Sequence, residues 1–158
     1  MKSFMRKMLV LLLIVALAVA FVGCGKINTM ARIKKENVIV MGTNAEFPPF
    51  EYRNDQGEVD GFDPAMAREI AKELGVELKI EDMAFDSLLN ALASGKIDFV
   101  AAGMSVTSER LENCDFSESY YTASQMIIVR KDNTEIQGRD DLVGKKIGVQ
   151  EGTTGDLE

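Results

Sequence analysis

Gly103-Met-Ser-Val-Thr-Ser-Glu-Arg110 gathers in one short stretch the donors that a carboxylate needs. Arg110 carries a planar fork of N–H groups that matches a carboxylate at two points at once. Ser105 and Thr107 add hydroxyls, and a glycine at position 103 lets the backbone approach a bound group closely. Thr107 or Ser108 can also cap the helix that starts there. Glycine, serine and threonine are equally ordinary turn chemistry, so these residues alone also describe a strand-to-helix turn with an arginine on it. The stretch follows Phe99-Val-Ala-Ala102, an apolar run that reads as a strand buried on both faces. The donors therefore gather at a strand's carboxyl end.

A second loop has similar potential. Val38-Ile-Val-Met41, closed by Gly42, reads as a buried strand. After it comes Phe47-Pro-Pro-Phe50, where the prolines forbid a helix and are expected to hold the loop extended. An aromatic on such a loop can stack on a ligand or plug the core. Asn54-Asp-Gln-Gly57 is a turn signal between Glu51-Tyr-Arg53 and Glu58-Val59, which predicts a small hairpin.

The elements that must position these loops follow from periodicity. Asp63 reads as a helix cap, Pro64 as the first helical position and Gly75 as the stop, with Met66, Ile70 and Leu74 on the apolar stripe. Val76 to Ile80 alternates as a second strand. Asp86 reads as the cap of a helix burying Leu88, Leu89 and Leu92 and ending at Gly95, and Ile97 to Ala102 is the third strand. Strand, helix, strand, helix, strand at these lengths predicts an α/β fold, a parallel sheet with right-handed crossovers. In such sheets ligands bind beyond the carboxyl ends of the strands, where both loops fall.

Composition narrows the function. The chain has 158 residues, net charge −7 and no histidine. Lys2, Arg6 and Lys7 are the only charges in residues 1–23, so the remainder carries −10. That balance excludes a nucleic-acid partner, whose binding rests on neutralised phosphates. Without histidine the commonest acid–base catalyst and metal ligand are lacking, and no metal or cofactor is expected. The basic start, the 15-residue apolar run Met8 to Val22 and Phe21-Val-Gly-Cys24 read as a signal peptide over residues 1–23. The last four resemble a lipoprotein lipobox, which makes Cys24 the lipidation site and the membrane anchor. Phe21 stands where the lipobox usually has leucine. Residues 24–36 read as a polar tether. Cys114 reads as a half-buried free thiol.

The set "GTNAEFPPFEY", "GFDPAMAREIAKELG", "FDSLLNALASGKIDFVAAGMSVTSER" and "CDFSESYY" resembles family 3 of the bacterial extracellular solute-binding proteins, the polar amino-acid receptors of ABC importers. The resemblance implies a periplasmic-binding-protein-like (type II) fold of two α/β lobes closing on an amino acid. It implies a first lobe over residues 37–121, then a hinge strand and the start of a second lobe over 122–158. Phe47 and Phe85 would pack on the ligand side chain. The backbone of Gly103 would accept from the α-amino group, Ser105 would hydrogen-bond the ligand's backbone groups, and Arg110 would pair with its α-carboxylate. Gln150, Thr153 and Thr154 would contribute from the second lobe.

The same resemblance implies ABC permease subunits as partners, a monomer, and an extracytoplasmic location on the bacterial cell membrane. Gln125 to Arg130 is expected as a crossing strand, and Leu142 to Val149 as the opening of the second lobe's sheet. The sequence stops at Glu158 inside the next expected helix, so a truncated copy with impaired binding is the expectation. Two rival classes use the same scaffold. An enzyme of the dehydratase or cell-wall lytic type would need Glu46, Asp60 or Asp63 as acid and base. A membrane sensor receptor would need a span, whereas the lipobox supplies an acyl anchor instead. Glu46 would suit a cationic ligand, but reads more simply as a solvated loop acid.

Overall fold

The computed structural model describes residues 28–157; the expected signal peptide, the lipobox and Cys24 lie outside the described residues. The chain divides into a unit ending at Glu36 and a unit Asn37–Glu158. In the first, Thr29–Glu36 is a helix, α1, where the sequence suggested an irregular tether. Local chemistry accounts for it. The Asn28 side-chain oxygen accepts from the Ala31 N–H at 3.1 Å, and Arg32 pairs with Glu36 one turn on at 2.7 Å.

The second unit is built on β1 (Val38–Thr43). It pairs in parallel with β5 (Glu77–Asp82) along its whole length and with β6 (Phe99–Val100) at Met41 and Gly42. The sheet order is β5-β1-β6, so the chain steps one way from β1 and returns over it to reach β6. Right-handed crossovers then require the two intervening helices to lie on opposite faces. The core confirms that placement. Met41 packs with Ala67 of α2 (Phe62–Leu74), and Ala101 joins them. Leu88 and Ala91 of α3 (Leu88–Ala93) pack instead with Ile97, Val40 and Val100. Adjacent residues of one strand thus feed opposite clusters, as the pleat demands.

A second, antiparallel sheet joins β2 (Glu46–Phe47), β3 (Glu51–Arg53) and β4 (Val59–Asp60). The hairpin expected from the Asn54–Gly57 turn is present, with the Asn54 side chain accepting from the Gln56 and Glu58 N–H groups. The proline loop departs from expectation. It does not run extended but turns back on itself: the Phe50 N–H donates to the Phe47 carbonyl at 2.9 Å, and Phe47 faces Glu51 across β2 and β3. Two prolines suit a tight turn as well as an extended one, and the pairing of β2 with β3 selects the turn.

Neither aspartate is the cap it resembles. α2 starts after Gly61, and Asp63 sits inside the first turn, fully buried. A short 3₁₀ turn, Phe85–Ser87, precedes α3, which begins after Ser87 without a side-chain cap, and Asp86 accepts only from the Ser87 hydroxyl. The glycine stop of α2 is as read: Gly75 is left-handed, φ 70.

Beyond α4 (Ser108–Leu111) the described chain is mostly irregular. Gln125–Arg130 and 145–150 have no strand partner, so the crossing strand and the second-lobe sheet expected there are not formed. Strands need neighbours to satisfy their backbone groups. Met126, Ile128 and Val143 correspondingly stand largely exposed. A short helix, α5 (Thr154–Leu157), ends the described residues. Among them no helix is long and apolar enough to cross a membrane.

Candidate functional site

Arg110 lies on α4, which Thr107 caps by accepting from the Arg110 N–H at 3.2 Å. Its guanidinium is turned inward and the residue is only 7% exposed. One terminal nitrogen donates to the Ser105 carbonyl at 2.6 Å and the other to the Gly152 carbonyl at 2.8 Å. The Phe85 ring lies beneath, 5.5 Å from the guanidinium carbon, within cation–π range. Among the described residues no carboxylate forms an ion pair with it. Burial lowers its pKa, opposed by Glu109 and Cys114, because a cation out of water wants a counter-charge. Its partners are neutral dipoles, and three of its five donors are left over. Such a group is prepared for an anion.

The remaining candidates are distributed around it. Gly103 leaves β6 with φ +53, and a Cβ there would press within 3.3 Å of the Phe47 ring. Phe47 is half-exposed and stacks on Phe50 at 5.4 Å between centroids. Gly103, Ser105 and Phe47 line one cavity of about 140 Å³, with the Phe116–Tyr121 segment closing its other side. Phe85 and Gln150 line a neighbouring cavity of about 440 Å³, together with Asn44, Glu46, Asp82, Asp86 and Glu151. No lysine or arginine lines it. Asp82 is already engaged by Arg53 at 2.6 Å and by the Ala45 N–H, so Glu46, Asp86 and Glu151 supply its negative field.

From the later part of the chain, the Gln150 amide donates to the Asn44 side chain at 2.6 Å. The Thr153 hydroxyl donates to the Gln150 carbonyl, and the Thr154 hydroxyl accepts from Gln125. Thr153 thus shapes its own loop and Thr154 ties it to the segment at Gln125, while Gly152 alone reaches Arg110. Cys114 is a free, half-buried thiol whose S–H points at the Arg110 carbonyl. Among the described residues no cluster suited to a metal ion occurs.

Sequence reasoning missed five contributors. Asn44 and Gly152 carried no signal beyond turn chemistry. The buried acids Glu51 and Asp63 lie behind Gly103 with Tyr120 beside them: Asp63 accepts from the Gly103 N–H at 2.8 Å and from the hydroxyl of Tyr120, whose ring is partly exposed, at 3.0 Å. The arginine, the aromatic rings and the acidic cavity converge at the carboxyl ends of β1, β5 and β6. Arg110 lines neither cavity itself; its guanidinium reaches the Ser105 carbonyl beside the first and lies over the Phe85 ring that lines the second.

Comparison with known proteins places the chain in a family. The family model described as bacterial extracellular solute-binding proteins, family 3, matches residues 39–155. The arginine-binding extracellular protein ArtP of Bacillus subtilis is 43% identical over 149 residues, covering 94% of this chain and 57% of its own length. The arginine-bound form of a truncated ArgBP from T. maritima superimposes with TM-score 0.78 at 47% identity, over 81% of this chain and 61% of that one. The arginine-bound form of domain 1 of the same protein matches with TM-score 0.56 at 46% identity, over 57% of this chain and 71% of its own. This chain therefore spans little more than half the length of the curated relative.

Proposed function

We propose that this chain, which belongs to family 3 of the bacterial extracellular solute-binding proteins, captures a cationic L-amino acid for import. Its α/β architecture is the periplasmic-binding-protein-like (type II) fold. The observation that carries the reading is Arg110, a buried guanidinium with neutral partners at a strand's carboxyl end. It takes the ligand's α-carboxylate in its fork. Gly103 and Ser105 meet the ligand's backbone groups, and Phe47 and Phe85 flank its side chain. Gln150, Thr153 and Thr154 shape the opposing loop. Glu46, Asp86 and Glu151 favour a positive tail, and the relatives named for arginine support the same choice. Delivery to the permease subunits of an ABC importer, by a monomer anchored through lipid on Cys24, completes the proposal. The lipobox residues and the family's extracellular character support it.

Calorimetric titration with three ligands tests this. L-arginine should bind, while agmatine, which lacks the carboxylate, and L-citrulline, which lacks the side-chain charge, should each bind at least about tenfold more weakly. Agmatine matching L-arginine would remove the carboxylate role of Arg110. L-citrulline matching it would remove the cationic preference. Phe47→Ala should weaken L-arginine binding by roughly tenfold, about 1.4 kcal/mol, since a half-exposed ring over a cation is worth of that order. Unchanged affinity in that variant would place Phe47 outside the site.

A further inference from the structure

Behind the seat, four segments meet at two buried carboxyl groups. Glu51 of β3 is 1% exposed and Asp63 of α2 is 0% exposed. Asp63 receives the Gly103 N–H from the loop after β6 and the hydroxyl of Tyr120 from the segment leading out of the first lobe. Glu51 lies against Asp63 and beneath Gly103, whose missing Cβ would sit 3.9 Å from the Glu51 Oε1. Its backbone neighbour across the hairpin is Phe47. Among the described residues neither acid has an ion-pair partner.

Glu51 Oε2 and Asp63 Oδ1 are buried oxygens that no N–H or O–H reaches. Two ionised carboxylates in that position would repel each other without compensation, whereas one proton between them supplies the missing donor. Burial first, then the charge of Asp63 and its hydrogen bond, push the Glu51 carboxyl up to about 9. The groups that face it are Asp63 from α2 and Tyr120 from the later segment. Burial and Asp63 also raise the Tyr120 phenol, which keeps it a donor.

We propose that Glu51 is a positioning residue: as the protonated member of a shared-proton pair, it steadies the Asp63 carboxylate that accepts from Gly103 and Tyr120, and so fixes the amino-acid seat to the chain leaving the first lobe. Its effect on ligand rests on the amino-acid reading above; its effect on stability does not. The sign follows from the proton count. Between about pH 4.5 and 9 the folded chain keeps a proton that the unfolded chain releases. The pair's contribution is complete below that window and lost as pH rises through it.

Urea unfolding and L-arginine calorimetry across pH 5–9, on the chain, Glu51→Gln and Glu51→Ala, test the pair. The amide keeps a donor at every pH. The unfolding constant of the unaltered chain should therefore rise at least tenfold relative to Glu51→Gln between about pH 6 and pH 9. Its L-arginine affinity should fall severalfold against Glu51→Gln over the same span, and Glu51→Ala should bind severalfold more weakly than Glu51→Gln throughout. Parallel pH profiles for the chain and Glu51→Gln, or a Glu51→Gln chain that does not fold, would overturn the proposal. A difference in stability profile with no L-arginine binding in any chain would leave the proton pair standing and overturn the function on which its positioning role rests.

Discussion

Replacing Arg110 with alanine should lower the affinity for L-arginine by roughly a hundredfold. Removing one member of a buried ion pair costs about 3–5 kcal/mol, because the other charge is left without a partner. The low end applies here, since Phe47 beside the proposed ligand position is itself half-exposed and leaves that position in reach of water. About 3 kcal/mol corresponds to about two powers of ten in the dissociation constant. Arg110→Lys should recover only part of the loss. A lysine keeps the charge but lacks the fork that reaches Ser105 and Gly152 while offering further donors to a carboxylate. Binding of agmatine should be nearly indifferent to either change, which separates a lost carboxylate contact from a damaged fold. Calorimetry giving Arg110→Ala the affinity of the unaltered chain would refute the seat.

Gly61→Ala should be the most damaging small substitution, destabilising the chain by about 3 kcal/mol. Gly61 has φ 127 and ψ −170, a conformation open essentially to glycine alone, which costs other residues on the order of 1–3 kcal/mol. A Cβ there would also collide with the Phe50 carbonyl oxygen and come within 2.8 Å of its carbon and 2.9 Å of the Pro49 oxygen. Those atoms cannot step aside, because the Pro49 and Phe50 carbonyls accept from the Phe62 and Asp63 N–H groups at 3.1 and 2.9 Å. The start of α2 is laid directly on the proline turn, and glycine is what lets the two backbones touch. Denaturant unfolding should show the loss. A change below about 1 kcal/mol would mean that the contact relaxes more easily than its geometry implies. Since Asp63 follows two residues later, Gly61→Ala should also loosen the hold on Gly103 and weaken ligand binding.

Much of the fold could be read from the sequence, though Gly61 gave no sign of its contact there. The three parallel strands, the two helices between them and the glycine stop at Gly75 were legible because each leaves a local period or a local terminator. Arg110 was legible because a strand end, a capping threonine and a forked cation stand together within one short stretch. The aromatics Phe47 and Phe85 were marked for the ligand, and the structure adds that Phe85 lies under the arginine itself. Four ordered motifs of the sequence together carried the family, whose model matches residues 39–155.

What it could not reveal is where polar groups go when the chain folds. Asp63 and Asp86 look alike in sequence, each an acid just ahead of an apolar helical stripe, and both resemble caps. One instead lies fully buried and holds Gly103, 40 residues away, and Tyr120, 57 away. The other stays at the surface, hydrogen-bonded to Ser87 and lying against Gly152. A capping rule sees only neighbours along the chain, whereas burial depends on which distant segments close over a residue. Glu51 likewise reads as an ordinary strand acid until α2 and the loop after β6 cover it. The sequence by itself thus determined the three parallel strands, the two helices between them and the family, because those are encoded in local periods and short motifs. Only the tertiary structure decided that two acids lie sealed behind the seat and share its support. Desolvation and the charge of one acid on the other arise from packing alone.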